Sequence, residues 1–308
     1  MGGMTVGVVI ASVDRPRDLF ECLQSVARQT VAADEIVVVA QAGDPQTAAV
    51  AREAGAKVVL VEQPGLAMAL ESGIAGASTD VIAFIDDDAR ASESWLAQVR
   101  QAFLRCPELG LLGGRDNVGG DAVNGHSALP VGIVRRGKVI GNHHRGHGPA
   151  REVHHVKGAN MSMRREAVAL IPLARLVAGS GAQVRNEFVL SLGVLAQGYR
   201  IVYDPAVQVD HFPAERGTGD GRARSDAERT FVRRSNEAAA FAFAGMWMKA
   251  APYVVRAVLI GDHVSPGLLL AATQPGGFKR LRAGVSGVSD GFRRGVRLRQ
   301  ETTMMSRA

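Results

Sequence analysis

Through the first third of the chain, apolar runs of strand length alternate with segments of helical periodicity, and this alternation leaves few folds open. Val6 to Ala11 reads as a strand, Leu19, Leu23 and Val26 recur at helical spacing, and Ile36 to Val39 is a second strand. The series continues with a helix around Thr47 to Glu53, a strand Lys57 to Val61, a helix from Leu66 to Ala77 and a strand Val81 to Ile85. Strands that alternate with helices favour a parallel sheet covered on both faces. The expected class is therefore α/β with a doubly wound sheet, and ligands should bind beyond the carboxyl ends of its strands. A length of 308 residues with 46% hydrophobic content can supply the core that such a sheet needs.

The pattern changes after a helix bearing Trp95, Val99 and Phe103 and a short apolar run at Leu109 to Leu112. Residues 113–158, rich in Gly and His, predict loops and short antiparallel strands. Helices follow from about Arg164 and over Asn186 to Gln197, with strands near Ile201 to Tyr203 and Val207 to Val209 and a helix over 225–250. The division expected is a catalytic domain over 1–225, in halves 1–112 and 113–225, and a helical, basic extension over 226–308. Two cysteines, Cys22 and Cys106, make no disulfide or zinc framework, and Met1-Gly2-Gly3-Met4 runs into an apolar strand without a secretory pattern. A cytoplasmic location is expected. Apolar stretches in the tail are interrupted by Arg256, Asp262 and Pro266, short of the roughly 18 residues of a membrane span.

Chemistry concentrates at Phe84-Ile85-Asp86-Asp87-Asp88, a buried-type strand ending in three carboxylates. Strand alternation would turn Asp86 and Asp88 to the crevice and Asp87 elsewhere, to the backbone or a ribose. Two converging carboxylates suit a hard cation with oxygen ligands, Mg²⁺ or Mn²⁺, bridging to a diphosphate. The competing reading is a solvated turn that caps the helix near Ser92. A second signal is Arg185-Asn186-Glu187 at a helix start, followed by Gly198-Tyr199-Arg200-Ile201 and His211. A carboxylate in a first helical turn is favoured as the anion, which suits Glu187 as a general base; an ordinary helix-start Glu is the alternative. His211 follows a strand and could reach the same metal.

These residues resemble the inverting glycosyltransferases of family 2, which have the GT-A fold. Val8-Val9-Ile10-Ala11-Ser12-Val13-Asp14-Arg15-Pro16 is similar to that family's first strand and nucleotide loop, and Asp86 and Asp88 match its Asp-x-Asp motif. Lys157-Gly158-Ala159-Asn160-Met161-Ser162-Met163-Arg164-Arg165 resembles its acceptor-side segment. Glu187 falls on the catalytic base, Asn186 on the Glu before it, and His211 on a metal-ligand His. The resemblance spans about residues 5–212. It implies a GT-A sheet with a smaller mixed acceptor-side region and a helical C-terminal appendage. It further implies transfer of a hexosyl or deoxyhexosyl group, in cell-surface glycan or glycolipid synthesis, from a nucleotide-diphosphate sugar to a carbohydrate or lipid-linked acceptor. Ser12, Arg15, Gly65, Asp86 and Asp87 would meet the donor, Asp86, Asp88 and His211 the metal, and Gly158, Asn160 and Asn186 the acceptor.

The chain departs from the family where Ala40-Gln41-Ala42-Gly43 replaces the Asp that ends the second strand, and where Ala69-Leu70-Glu71 replaces Ala-Arg-Asn. Arg15 or a later arginine would then have to meet the pyrophosphate. His143, His144, His147, His154 and His155 admit a Zn²⁺ site but lack Cys or acidic partners, and acceptor-facing loops are the expectation. Two rivals stand beside the transferase. A sugar-phosphate nucleotidyltransferase would need a Gly-rich loop where Ser12-Val13-Asp14 stands, and an inactive glycosyltransferase-like binding protein would explain Ala40-Gln41. The net charge of +6 gathers in residues 246–308, where ten Lys or Arg face Asp262, Asp290 and Glu301. The tail lacks the interleaved aromatics of a nucleic-acid surface, leaving two readings: peripheral contact with an anionic membrane, or helices packed on the catalytic domain with solvated arginines.

Overall fold

The computed structural model describes residues 3–119, 129–181, 183–213 and 225–305. The apolar runs form β1 (Val6–Ser12), β2 (Glu35–Gln41), β3 (Lys57–Val61) and β4 (Val81–Ile85), joined by α1 (Pro16–Ala27), α2 (Pro45–Glu53) and α3 (Leu66–Gly76). All four strands are parallel in the order β3-β2-β1-β4. Two apolar clusters fill the two faces: Val8, Ile10 and Ile85 pack with Leu19 and Trp95 on one, and Val9, Val39 and Phe84 with Leu70 and Phe188 on the other. The alternation of side chains along β1 and β4 produces this division.

Beyond β4 come β5 (Ala89–Ala91), α4 (Trp95–Arg105), β6 (Leu109–Val118), the hairpin β7 (Ile133–Arg135) and β8 (Lys138–Ile140), β9 (Arg151–Glu152) and β10 (Asn160–Arg164). Short helices α5 (Arg165–Val168) and α6 (Leu173–Leu176) lead to α7 (Asn186–Ala196) and β11 (Arg200–His211). The sheet continues β4-β10-β6-β11-β5, with β10 antiparallel to both neighbours and β6 parallel to β11. The two strands expected near 201–203 and 207–209 are one strand, β11, whose register shifts between Asp204 and Gln208, where Pro205 cannot donate to the ladder. The short run at Leu109 to Leu112 extends to Val118, because Arg115, Asp116 and Asn117 continue the strand as buried polar residues.

The helix expected over 225–250 divides into α8 (Asp226–Ala244) and α9 (Trp247–Leu259). Gly245, at φ 67°, supplies the left-handed C-cap, with its N–H on the Ala242 carbonyl at 3.1 Å and that of Met246 on Phe241 at 3.0 Å. After α10 (Leu268–Ala271) the 29-residue α11 (Gly277–Met305) runs parallel to α8, with Gly287, Gly291 and Gly295 against Phe231, Ser235 and Ala239 in turn. Phe241, Tyr253, Val288 and Leu298 belong to the same apolar cluster as Val9 and Phe188, so the extension shares the catalytic core. The expected boundary at 225/226 adjoins residues 214–224, which lie outside the described residues. Among the described residues no helix is long and apolar enough to cross a membrane.

Close approach of α11 to α8 depends on glycine. A Cβ at Gly291 would lie 2.0 Å from the Ser235 carbonyl oxygen and 2.9 Å from the Ala238 Cβ. Alanine is the better helix former by about 1 kcal/mol, yet the forced separation of two helices costs typically 1–3 kcal/mol and here outweighs it. Gly291→Ala is expected to lower the midpoint of thermal unfolding, measured by circular dichroism; an unchanged or raised midpoint would contradict this packing.

Candidate active site

The carboxyl ends of the adjacent parallel strands β1 and β4 open on one side of the sheet. From β1 the chain turns through Asp14, at φ 54°, whose N–H is held by Asp44 Oδ2 at 2.6 Å while Asp44 Oδ1 caps α2 at the Thr47 N–H, 3.0 Å away. Asp44 thus fixes the loop beyond β1, with both oxygens engaged in scaffold bonds. Arg15 follows, and Pro16 starts α1. From β4 the chain enters the turn Asp86-Asp87-Asp88 and then β5, which pairs antiparallel with the end of β11 so that Ala89 stands opposite His211. This pairing returns an imidazole 123 positions later in sequence to the carboxylates.

Asp86, Asp88 and His211 offer ligand atoms that all lie within 4.8 Å of one another, and His211 Nε2 is 3.2 Å from Asp88 Oδ1. Asp87 turns away, accepting from Ser12 Oγ at 2.7 Å and from Arg15 Nη1 at 3.2 Å; the same Nη1 is 3.5 Å from Asp88 Oδ2. Ser12 and Arg15, expected to meet a donor, are thereby tied to the central and last carboxylates. On the strand between β10 and β11, Asp116 lies 3.7 Å from His211 Nδ1 and pairs with Lys157.

Burial, and then the neighbouring Asp88, push the Asp86 carboxyl up to about 6. Burial likewise raises Asp87 to about 7, against the stabilising Ser12 hydroxyl and Arg15. Burial disfavours the His211 imidazolium, but Asp116 and Asp88 outweigh it and raise the group to about 9. Asp116 is held below the usual carboxylate range although burial opposes it, because His211 and Lys157 face it. The two converging carboxylates of Asp86 and Asp88 beside one imidazole are a donor set suited to a hard divalent cation, and among the described residues Asp116 Oδ1 and His211 Nδ1 are buried without a hydrogen bond. The residues fit Mn²⁺ or Mg²⁺. An imidazolium cannot ligate, so loading that site releases the His211 proton.

A cleft of about 170 Å³ adjoins this centre, lined by Asp86, Lys157, Gly158, Asn186 and Glu187 with Leu66 and Leu70 of α3. Glu187 lies in the first turn of α7, behind Arg185 at φ 72°. Burial raises its carboxyl above the ordinary value against the opposing pull of Arg185. The Arg185 guanidinium is taken by Glu237 of α8, Nε to Oε1 at 3.0 Å. A larger depression of about 620 Å³ lies on the outer side of α1, lined by Arg17, Phe20, Glu21 and Arg28, away from the three carboxylates.

The other expected site residues divide. Gly158 and Asn186 line the cleft, though the Asn186 amide also donates to the Gln183 carbonyl at 2.8 Å. Asn160 does not face an acceptor: it is buried, donates to the Arg115 and Val207 carbonyls at 3.1 and 3.0 Å, and accepts from Trp95 Nε1 at 2.9 Å, bolting β10 to β6, β11 and α4. Gly65 sits against the Gln183 side chain, which itself takes the Ala67 N–H at 2.8 Å, so the N-terminus of α3 is capped by protein. Glu71 accepts from the Ala174 N–H at 2.6 Å and serves the scaffold. Two functional candidates escaped the sequence reading. Asp116 stands in a Gly-rich run without periodicity. Lys157 lay inside a recognised segment but carried no assigned role; it supplies a cation to the cleft that Leu70 lines.

The histidines are corrected as well. His143 and His155 are buried core residues, held near 4 and 3 by burial, with Nε2 atoms on the His155 and Ile140 carbonyls at 3.0 Å. His154 Nδ1 accepts from the Val134 N–H at 2.9 Å. His143 and His155 pack with Tyr203 and Phe188 rather than facing an acceptor or a second metal.

Residues 7–171, more than half the chain, match the family described as Glycosyl transferase family 2. The chain belongs to glycosyltransferase family 2. The match ends before α7 and β11, so Glu187 and His211 stand on the geometry described above. No curated protein sequence matches the family 2 chain. Similar solved structures include a mycobacterial protein, with 16% identity, TM-score 0.53 and coverage of 79% of this chain and 76% of that one. Another is the crystal structure of GalNAc-T7 with UDP, GalNAc and Mn²⁺, with 15% identity, TM-score 0.56 and coverage of 78% of this chain and 48% of that one. At these identities the likeness is one of fold, and the fold is GT-A.

Proposed function

We propose that the protein is a metal-dependent, inverting glycosyltransferase that moves a sugar from a nucleotide-diphosphate donor to a hydroxyl of a carbohydrate or lipid-linked acceptor. The observation that carries this reading is that Asp86, inside the family match, and Glu187, beyond its end, line one cleft. Glu187 has a carboxyl raised by burial; its own backbone N–H bonds it and, among the described residues, no other side chain does, so lone pairs remain for an acceptor proton. It takes that proton as the acceptor oxygen attacks the anomeric carbon. Attack from the side opposite the departing diphosphate inverts the sugar.

A divalent cation held by Asp86, Asp88 and His211 would supply charge neutralisation for the departing diphosphate. Lys157 adds a fixed positive charge on the cleft, and Asp116 keeps both Lys157 and His211 in place. Ser12 and Arg15 hold Asp87 and so fix the turn that carries both ligand carboxylates. The UDP in the GalNAc-T7 structure makes uridine nucleotides the first donors to try.

The test is incubation with a panel of nucleotide sugars and Mn²⁺ in the absence of acceptor, where water can take the acceptor's place. The expected products are a nucleoside diphosphate and a free sugar whose first-formed anomer, read by proton NMR, is inverted. Retained configuration would overturn the single displacement, and release of pyrophosphate from a nucleoside triphosphate and a sugar phosphate would instead identify a nucleotidyltransferase.

A further inference from the structure

The structure brings a basic hairpin from the middle of the chain against an apolar helix face from its end. β7 and β8 are joined by the two-residue turn Arg136-Gly137, both residues in the left-handed region at φ 48° and 74°, with Arg135 opposite Lys138. Gly137 seats on the α9 backbone: a Cβ there would meet the Pro252 carbonyl oxygen at 2.2 Å. Pro252 lies midway along a solvent-facing stripe of α9 made by Met248, Val255 and Leu259, whose spacing of seven and four residues keeps them on one side. The stripe continues into α10, because the Gly267 N–H bonds the Ile260 carbonyl at 3.0 Å and brings Leu268 and Leu269 beside it. Met248 is 93% exposed and Leu269 67%.

Charge around this face has one sign. Arg135, Arg136 and Lys138 on the hairpin and Arg256 on α9 have no carboxylate within ion-pair distance among the described residues. Residues 130–151 contain no Asp or Glu, and residues 244–289 contain one, Asp262, which is engaged by Arg233 and Arg234 of α8. The second half of α11 is different in kind: Arg294 pairs with Asp290 and bonds the Leu176 carbonyl, and Arg299 bonds the Phe243 carbonyl, so these cations belong to the packed helix pair.

From protruding aliphatic side chains rimmed by unpaired cations, we infer that the α9–α10 face and the β7–β8 hairpin form one docking surface for an anionic lipid bilayer. Aliphatic groups enter the acyl boundary while Lys and Arg meet headgroup phosphates. A second copy of the chain fits less well, because a two-fold contact would set the hairpin cations against their own kind with no carboxylate to answer them. A nucleic acid would leave Met248 and Leu269 uncovered. The surface would favour a lipid-linked acceptor, and that consequence alone rests on the transferase reading.

Flotation of the full chain with phosphatidylcholine vesicles, with and without phosphatidylglycerol, tests the surface. Binding is expected only to the anionic vesicles at low salt, and is expected to weaken near 1 M NaCl, where the screening length falls to about 3 Å. The triple change Arg135→Gln, Arg136→Gln, Lys138→Gln should lower the partition constant by about 10²-fold, at roughly fivefold per cation. Met248→Glu with Leu269→Glu should abolish flotation, and Arg293→Gln on α11 should not change it. Each variant is checked by thermal melting, and the hairpin variant keeps the test available if the helix variant fails to fold. Absence of flotation at low salt, flotation indifferent to the hairpin and helix changes, or a concentration-dependent dimer lost with Met248→Glu would overturn the proposal. Nucleotide binding without flotation removes the lipid surface and leaves the transferase; flotation without nucleotide binding does the reverse.

Discussion

Glu187→Gln is expected to bind a metal-nucleotide donor almost normally and to lose transfer by roughly 10²- to 10⁴-fold, the range for removing a positioned general base. The amide preserves shape at the first turn of α7, and its oxygen can still accept from the residue's own backbone N–H, as the carboxylate does. The pH dependence follows from the sign of its shift. Burial raises this carboxyl, with Arg185 opposing, and the base works only when ionised. With Mn²⁺ saturating, the acidic limb of kcat in the native enzyme should therefore lie above the ordinary carboxylate range, and that limb should vanish in the variant. Single-turnover transfer at wild-type rate in a folded Glu187→Gln protein would move the base to another residue.

Glu237→Gln is expected to give the largest loss of stability. This carboxylate is buried on α8 and bonds Arg185 Nε at 3.0 Å, Arg233 Nε at 3.2 Å, Arg234 Nη1 at 3.1 Å and the Tyr253 hydroxyl at 3.0 Å. Removing its charge strands three guanidinium groups, of which Asp262 compensates only Arg233 and Arg234. Breaking such a buried arrangement costs about 3–5 kcal/mol, or a fall in Tm of roughly 6–10 °C for a chain of this size. Although burial opposes ionisation, Arg185, Arg233 and Arg234 hold Glu237 down to about 2. A carboxyl depressed in the folded state contributes stability that is complete above its unfolded value near 4.5 and is lost as pH falls from there towards 2. Native protein should lose stability across that window more steeply than the variant. A Tm within about 2 °C of native, a change of under about 1 kcal/mol, would contradict this account of how α8 anchors Arg185.

The sheet was legible in sequence where burial on both faces leaves uninterrupted apolar runs, as at Val6 to Ala11 and Val81 to Ile85. It was illegible at β10, whose Asn-Met-Ser-Met-Arg pattern carries no strand signature of its own. β10 is a strand because β4 and β6 flank it and the Asn160 side chain is satisfied by three elements distant in sequence. For the same reason Asn160 resembled a binding residue and is a structural one. Asp86 and Asp88 were readable because three consecutive carboxylates at a strand end have few structural uses. Asp116 and Lys157 were not, since a lone Asp between glycines and a lone Lys before Gly158 acquire meaning only when β6 and β10 bring them together. The extension read as a basic tail, but Arg294 and Arg299 of α11 answer carbonyls on α6 and α8, contacts that local periodicity does not encode.

The central claim is that Asp86, Asp88 and His211 form a divalent-cation site through which a nucleoside diphosphate is held. Calorimetric titration of UDP, GDP and dTDP into the protein with and without Mn²⁺, repeated on Asp88→Ala, tests it most directly. Asp88→Ala removes one ligand from a turn where the remaining carboxylates repel, so the fold should survive. The expected result is that at least one nucleotide binds native protein only with Mn²⁺, and that the folded Asp88→Ala protein no longer shows the metal-dependent part. Nucleotide binding that is indifferent to Mn²⁺, or unchanged in Asp88→Ala, would contradict the account.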